Sequence, residues 1–396
     1  MISVRGKLIN KITYGNDNVT SVYKGNTKIW PTDVNGIYMN QNTLDPDSII
    51  GGAVLNDELK RIINNTHWYC GKLTDKGMLI CQIGDKVLDW KTLEYGDVDH
   101  FYDGQSVYTS LKNSAAYGIY GNVFIKFPMF SVINEVFNED QCQLKWIYDV
   151  KMPGWINWEG NWLIGLSSCG WENNKIFCHA AVHDLSTTFD VWKERLATLD
   201  PRYGFFTYWQ RCIFTYLYYS IYGTTRDVLY GEPHYFLGID AFCSSWQEYL
   251  DGIEVNNRVP TILKHDGTTR IGPTLPGSGT NASGGWISKI HMTPYLDIIP
   301  KEWTATQDTG YCSHGWSSGL DGCIPRAKGG MGVNDEVIGC GYDRTGTDTV
   351  GRSAVRLTYH GEIIETKDVE YFKRVKPING GVYYDDESGT DKIYIP

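Results

Sequence analysis

Short runs of alternating apolar and polar residues, interrupted every few positions by Gly, Asn or Asp, fill most of this chain and predict short strands joined by turns. In the first thirty residues the pattern repeats. Ile12-Thr13-Tyr14-Gly15-Asn16 is echoed ten residues later by Val22-Tyr23-Lys24-Gly25-Asn26, and Val19 is echoed by Ile29. Each unit is a β-run followed by Gly-Asn, a dipeptide that supplies the positive φ of a tight turn. Two such arms form a sheet too small to be stable alone, so the segment must add to something larger. Trp30-Pro31 ends it. Further on, Met78-Leu79-Ile80-Cys81-Gln82-Ile83 and Gly121 to Phe130 are apolar enough for buried strands, the second interrupted by Pro128.

The period changes in three places. Asn56 to Ile63 has the polar start and i, i+3, i+4 spacing of a short amphipathic helix. Ser186-Thr187-Thr188 offers a cap for a second helix from Asp190 to Ala197, with its acid early, as the helix dipole favours. A third helix is predicted from about Phe205 to Tyr222, ending at Gly223. Its Phe206, Trp209, Ile213, Leu217 and Ile221 define one core face, with Tyr208, Arg211, Tyr218 and Tyr219 elsewhere around it. Lys264 to Trp286 reads as a polar, structureless insertion, and Asp308 to Thr349 as a second loop-rich stretch. From Val369 to Pro396 strand-like alternation returns.

Phe242-Cys243-Ser244-Ser245-Trp246-Gln247-Glu248-Tyr249-Leu250-Asp251-Gly252, taken with Gly351-Arg352-Ser353-Ala354-Val355-Arg356-Leu357, resembles the closing half of a C-type-lectin-like domain. The branch in question is shared by formylglycine-generating enzymes, phage receptor-binding proteins and variable proteins of diversity-generating retroelements. The resemblance implies an α+β, mostly β fold: a C-type-lectin-like domain over 121–367 with two helices and long loops. Around it are expected an N-terminal β-repeat module (1–31), a β-rich connecting region (32–120) and C-terminal strands (368–396). It also implies that Trp246, Asp251, Arg352 and Arg356 close the fold, the arginines binding loop carbonyls and buried acids such as Asp251. Paired arginines gripping an anionic ligand are the alternative. The N-terminal repeat resembles modules on structural proteins of gut phages, implying that Tyr14, Tyr23 and Trp30 dock onto a virion; an edge hairpin of the main domain is the other reading.

Composition narrows the function. A net charge of −10 without a Lys/Arg-rich run disfavours a nucleic-acid partner. No apolar run of about 18 residues is present for a membrane span, nor one of signal-peptide length after Met1. The localisation that the resemblance implies is the virion surface, after assembly in the bacterial host cytoplasm. The ten scattered cysteines read as buried thiols. Asp85, Asp89, Asp97, Asp99 and Asp103 lack the spacing of a calcium loop, and Cys178-His179-Ala180-Ala181-Val182-His183 has no second ligand pair, so neither metal nor cofactor is expected. Trp155, Trp158, Trp162 and Trp171 fall within seventeen residues and divide between core and interface. Aromatics and cations on the glycine-rich loops fit recognition, which makes Tyr311, His314, Trp316, Arg326, Tyr342, Asp343 and Arg344 the candidate ligand-binding residues. The expectation is a non-enzymatic phage structural protein, a capsid or tail appendage. It would bind other virion proteins through its N-terminal module and a host glycan or protein through its loops, as a homo-oligomer, with a trimer implied by the resemblance. The alternatives are a purely structural decoration or fibre-base protein and, from a different class, an oxidase of the formylglycine type or a glycan depolymerase.

Overall fold

The computed structural model describes residues 57–84, 122–138, 141–172, 174–178, 187–222, 247–256, 258–275, 285–291, 293–304 and 353–395, the single positions 237 and 239, and elsewhere only short strands. Two compact units divide the chain, Met1–Gly36 and Ile37–Pro396. The described strands are numerous and the helices few, so the fold is mostly β with some α.

In the first unit Ser3–Val4 pairs with Lys7–Leu8, Thr13–Tyr14 with Asp17–Asn18, and Val22–Lys24 with Thr27–Trp30, all antiparallel. The register partners Tyr14 and Asp17, and Lys24 and Thr27, flank the two Gly-Asn dipeptides at the two-residue spacing of tight hairpins. Among the described residues each arm is a separate two-stranded pair.

The second unit is built on a seven-stranded sheet. In order across it run Tyr203–Phe205, Arg356–Tyr359, Leu163–Ser168, Asn122–Lys126, His67–Leu73, Met78–Gly84 and Ile363–Thr366. Every pairing is antiparallel except the last, where Met78–Gly84 lies parallel to Ile363–Thr366. Residues expected in a connecting region before position 121 therefore form central strands of the same sheet as residues from beyond 350, and the boundary expected at 121 falls inside it.

Both faces of this sheet are covered, which is why its strands read as apolar runs and not as clean alternation. Trp68, Cys70, Val123, Ile125, Ile164 and Leu166 face one core, whereas Tyr69, Met78, Ile80, Phe124 and Leu163 face another. The first core is shared with helix α1 (Asp57–Asn64), with the long hairpin Phe130–Asn138/Gln141–Tyr148 and with helix α3 (Tyr208–Tyr222). The second is shared with helix α2 (Phe189–Ala197), whose Thr188 cap accepts from Val191 N at 3.4 Å.

Three elements depart from the pattern-based reading. Helix α3 begins at Tyr208, because Phe205 belongs to a strand and Thr207-Tyr208-Trp209-Gln210 forms a capping box: Thr207 N donates to Gln210 Oε1 at 2.9 Å, and Gln210 N to Thr207 Oγ1 at 3.4 Å. The helix is also buried all round, from Tyr208 to Ile221, instead of along one stripe. Three of its hydroxyls are satisfied inside: Tyr208 Oη accepts from Ile298 N at 3.0 Å, Tyr216 Oη donates to Asp297 O at 3.3 Å, and Ser220 Oγ accepts from Trp146 Nε1 at 3.0 Å. Lys264 onward is not structureless: Ile253–Asn256, Val259–Leu263 and Thr269–Ile271 form an antiparallel meander. In the C-terminal stretch Val369–Arg374 is a helix, α4, ahead of the hairpin Gly381–Asp385/Thr390–Tyr394. Asp368 caps it by accepting from Tyr371 N at 2.9 Å, and Lys373 and Arg374 occupy its last turn.

Candidate functional site

The two segments that carried the family resemblance meet. Gln247–Tyr249 lies parallel to Ser353–Ala354, with Gln247 opposite Ser353 and Glu248 opposite Ala354. Behind this junction Arg356 is fully buried, at 0% exposure. Its guanidinium donates to Gly165 O at 2.9 Å, to Leu166 O at 2.6 Å and to the Glu248 carboxylate, which also accepts from Ser168 Oγ at 3.2 Å. A buried charge is tolerated only where paired and hydrogen-bonded, and here both conditions hold. Arg356 thus ties two carbonyls and a buried acid, but the carbonyls belong to the strand Leu163–Ser168 and not to a loop, and the acid is Glu248. Asp251 has other partners: its Oδ1 accepts from Gly252 N at 2.8 Å, its N donates to Phe206 O at 3.1 Å, and its O accepts from Tyr208 N at 2.8 Å. Asp251 thereby docks the start of α3 and, among the described residues, is bonded to no arginine. Trp246 and Arg352 lie outside the described residues.

The candidate ligand residues map onto neighbouring strands. Arg326 lies on Ile324–Lys328, opposite Tyr249 in register, and Tyr342 and Asp343 lie on Gly339–Asp343, the next strand out. Tyr311 and His314 lie on Tyr311–His314, which pairs with Gly285–Ile290 and runs beside Gly339–Asp343. Three of the seven, Arg326, Tyr342 and Asp343, are therefore carried by strands joined directly or through one neighbour to the Glu248 strand, whereas Tyr311 and His314 belong to an adjacent three-stranded sheet. Trp316 and Arg344 lie outside the described residues. Of the docking residues, Tyr14, Tyr23 and Trp30 sit on the hairpin strands of the first unit.

Among the four clustered tryptophans, Trp158 is buried and central. Its ring lies 5.9 Å from Phe130, 5.3 Å from Phe214, 4.8 Å from Trp162 and 6.0 Å from Trp209. Trp155, Trp162 and Trp171 are half-buried. Trp162 and Trp209, 5.0 Å apart, extend this aromatic core towards a shallow cleft that sequence reasoning missed, lined also by His265, Arg270 and Tyr295. The helical period assigned Trp209 to the core, His265 and Arg270 lie in the segment read as a polar insertion, and Tyr295 lies in a stretch to which no element was assigned.

Cys70, Cys81, Cys142, Cys169, Cys178 and Cys212 are buried thiols. Burial pushes the Cys178 thiol up to about 12, and its Sγ donates to Val123 O at 3.2 Å, so at neutral pH it is held as the protonated thiol. His179 and His183, and the turn acids Asp85, Asp89, Asp97, Asp99 and Asp103, lie outside the described residues. Among the described residues no three His, Cys, Asp or Glu side chains gather as a metal site. Among them, too, no helix is long and apolar enough to cross a membrane. Compared with known proteins, the chain matches no family model, no curated protein and no solved structure.

Proposed function

We propose that this chain is a non-enzymatic recognition protein of a bacteriophage virion, built on a C-type-lectin-like scaffold. In this reading the first unit docks on other virion proteins and the strands Tyr311–His314, Ile324–Lys328 and Gly339–Asp343 present the surface that meets a host glycan or protein. The observation that carries it is the junction between the two resembling segments. A parallel strand pair is locked from behind by a buried arginine, and three of the candidate ligand residues, Arg326, Tyr342 and Asp343, stand on the strands that extend the same sheet. A rigid scaffold that positions variable segments is the usual division of labour in recognition folds. A trimer would turn weak single contacts into useful avidity. The test is competition: purified protein is added to host cells before phage, and adsorption is counted. Saturable loss of adsorption is expected; undiminished adsorption at saturating protein contradicts the reading.

A further inference from the structure

Two turns and the start of a helix converge on the cleft beside Trp209. The first turn, Lys264 to Thr268, joins two strands of the meander. Asp266 fixes it by accepting from Thr268 N at 2.9 Å and Thr268 Oγ1 at 2.6 Å, and Gly267 takes the positive φ of 79° that the tight bend requires. His265 is thereby held 6.3 Å from the Trp209 ring. The second turn, Thr293 to Ile298, is fixed more heavily. Thr293 Oγ1 donates to Asp297 Oδ2 at 2.6 Å and accepts from Tyr295 N at 3.3 Å, while Asn134 Nδ2 donates to Thr293 O at 2.8 Å. Leu296 is buried at a φ of 62°, a conformation that a leucine adopts only where its surroundings impose it.

This strained and heavily bonded turn presents Tyr295 to solvent, 44% exposed, with the Arg270 guanidinium stacked 4.3 Å from its ring centre. Arg270 is itself held by the buried Asp297 carboxylate. Trp209, at 9%, is the least buried residue of α3 between Tyr208 and Ile221 and forms the floor. Strain spent on presenting an exposed aromatic is a mark of a binding site, because rigid presentation lowers the ordering cost of association.

We propose that this cleft binds a neutral pyranose ring, at a site separate from the Tyr311–Asp343 strands and independent of the virion reading. The lining selects the chemistry. Aromatic surface suits the C–H face of a sugar, as Trp and Tyr combine an apolar body with a polar tip. Each cation at the rim already has its carboxylate, Lys264 with Asp266 at 3.1 Å and Arg270 with Asp297, and burial lowers the pKa of His265 so that its ring is neutral at pH 7. The rim thus offers polar groups to hydroxyls with no surplus charge for an anion, and the chain's net charge of −10 repels acidic sugars further.

Saturation-transfer NMR on the full chain tests this, with methyl α-glucoside, methyl α-mannoside and methyl β-galactoside as neutral probes and methyl glucuronide as the acidic one. Transfer to at least one neutral glycoside is expected. Affinity should drop about tenfold in Tyr295→Ala, the worth of one aromatic contact, while Tyr371→Ala on α4 leaves it unchanged. Because Tyr295 is exposed, the variant should keep its thermal midpoint, and His265→Ala is a second probe of the same rim. A variant carrying Tyr311→Ala, Arg326→Ala and Tyr342→Ala should keep sugar binding, which separates this site from the proposed host-contact strands. No transfer to any neutral glycoside, equal affinity in Tyr295→Ala, or preference for the glucuronide each overturns the proposal.

Discussion

Single buried charges decide how this chain can be altered. Arg356 holds two carbonyls and Glu248 in a site without solvent, so Arg356→Met leaves Glu248 buried and unpaired. Breaking such a pair costs about 3–5 kcal/mol. Urea unfolding of the variant should show a loss of that size; a loss under about 1 kcal/mol would mean that the arginine is a surface group. Lys72 is the complementary case. Only 1% exposed, it donates to Lys373 O at 2.9 Å and has no carboxylate within ion-pair distance among the described residues. Burial therefore lowers its pKa from 10.5 to about 8. Between those values the unfolded chain binds a proton that the folded chain has released, so Lys72 makes stability rise with pH across that window and fall as pH drops through about 8. The full effect is roughly 3 kcal/mol. Lys72→Met should flatten this part of the stability-against-pH curve relative to the parent; matching curves would contradict the assignment.

At the level of elements, close packing sets the constraints. Gly71 sits in the middle of the seven-stranded sheet, where an added Cβ would meet the Phe124 ring at 2.7 Å and Met78 Sδ at 3.1 Å. Gly71→Ala should therefore destabilise by about 1–3 kcal/mol through overpacking, readable as a lowered melting midpoint; an unchanged midpoint would contradict it. The same packing explains which elements could be read from sequence. Helix α1 was legible because one face is buried and one wet, and α2 because Thr188 caps it. Helix α3 was legible as a helix but not as a fully buried one, since its tyrosines look amphipathic until their hydroxyls find Ile298 N and Asp297 O, some eighty to ninety positions away in sequence. Its start was written in Thr207 and Gln210. The meander was hidden by Asp266-Gly267, read as loop composition when it is the turn between strands. Helix α4 was hidden by β-branched and aromatic residues, whose strand preference the Asp368 cap overrides.

For the whole molecule, the Glu248–Arg356 connection was half legible. Both segments stood out in the sequence, yet which acid met the arginine depended on strand register, and register is set by tertiary pairing. The cleft beside Trp209 was not legible, because His265, Arg270 and Tyr295 reach it from three separate turns and strands. The fold therefore has two recognition candidates: the strands Tyr311–His314, Ile324–Lys328 and Gly339–Asp343, of which the last two extend the Glu248 sheet, and an aromatic cleft at the start of α3. The central claim concerns the first, that the extended strands make the host contact while the scaffold stays fixed. It is tested most directly by the binding of fluorescently labelled protein to host cells, comparing the parent with the variant carrying Tyr311→Ala, Arg326→Ala and Tyr342→Ala. The account predicts at least about a tenfold loss of affinity, roughly 1.4 kcal/mol, with the melting midpoint retained. Equal binding by the two folded proteins would contradict it.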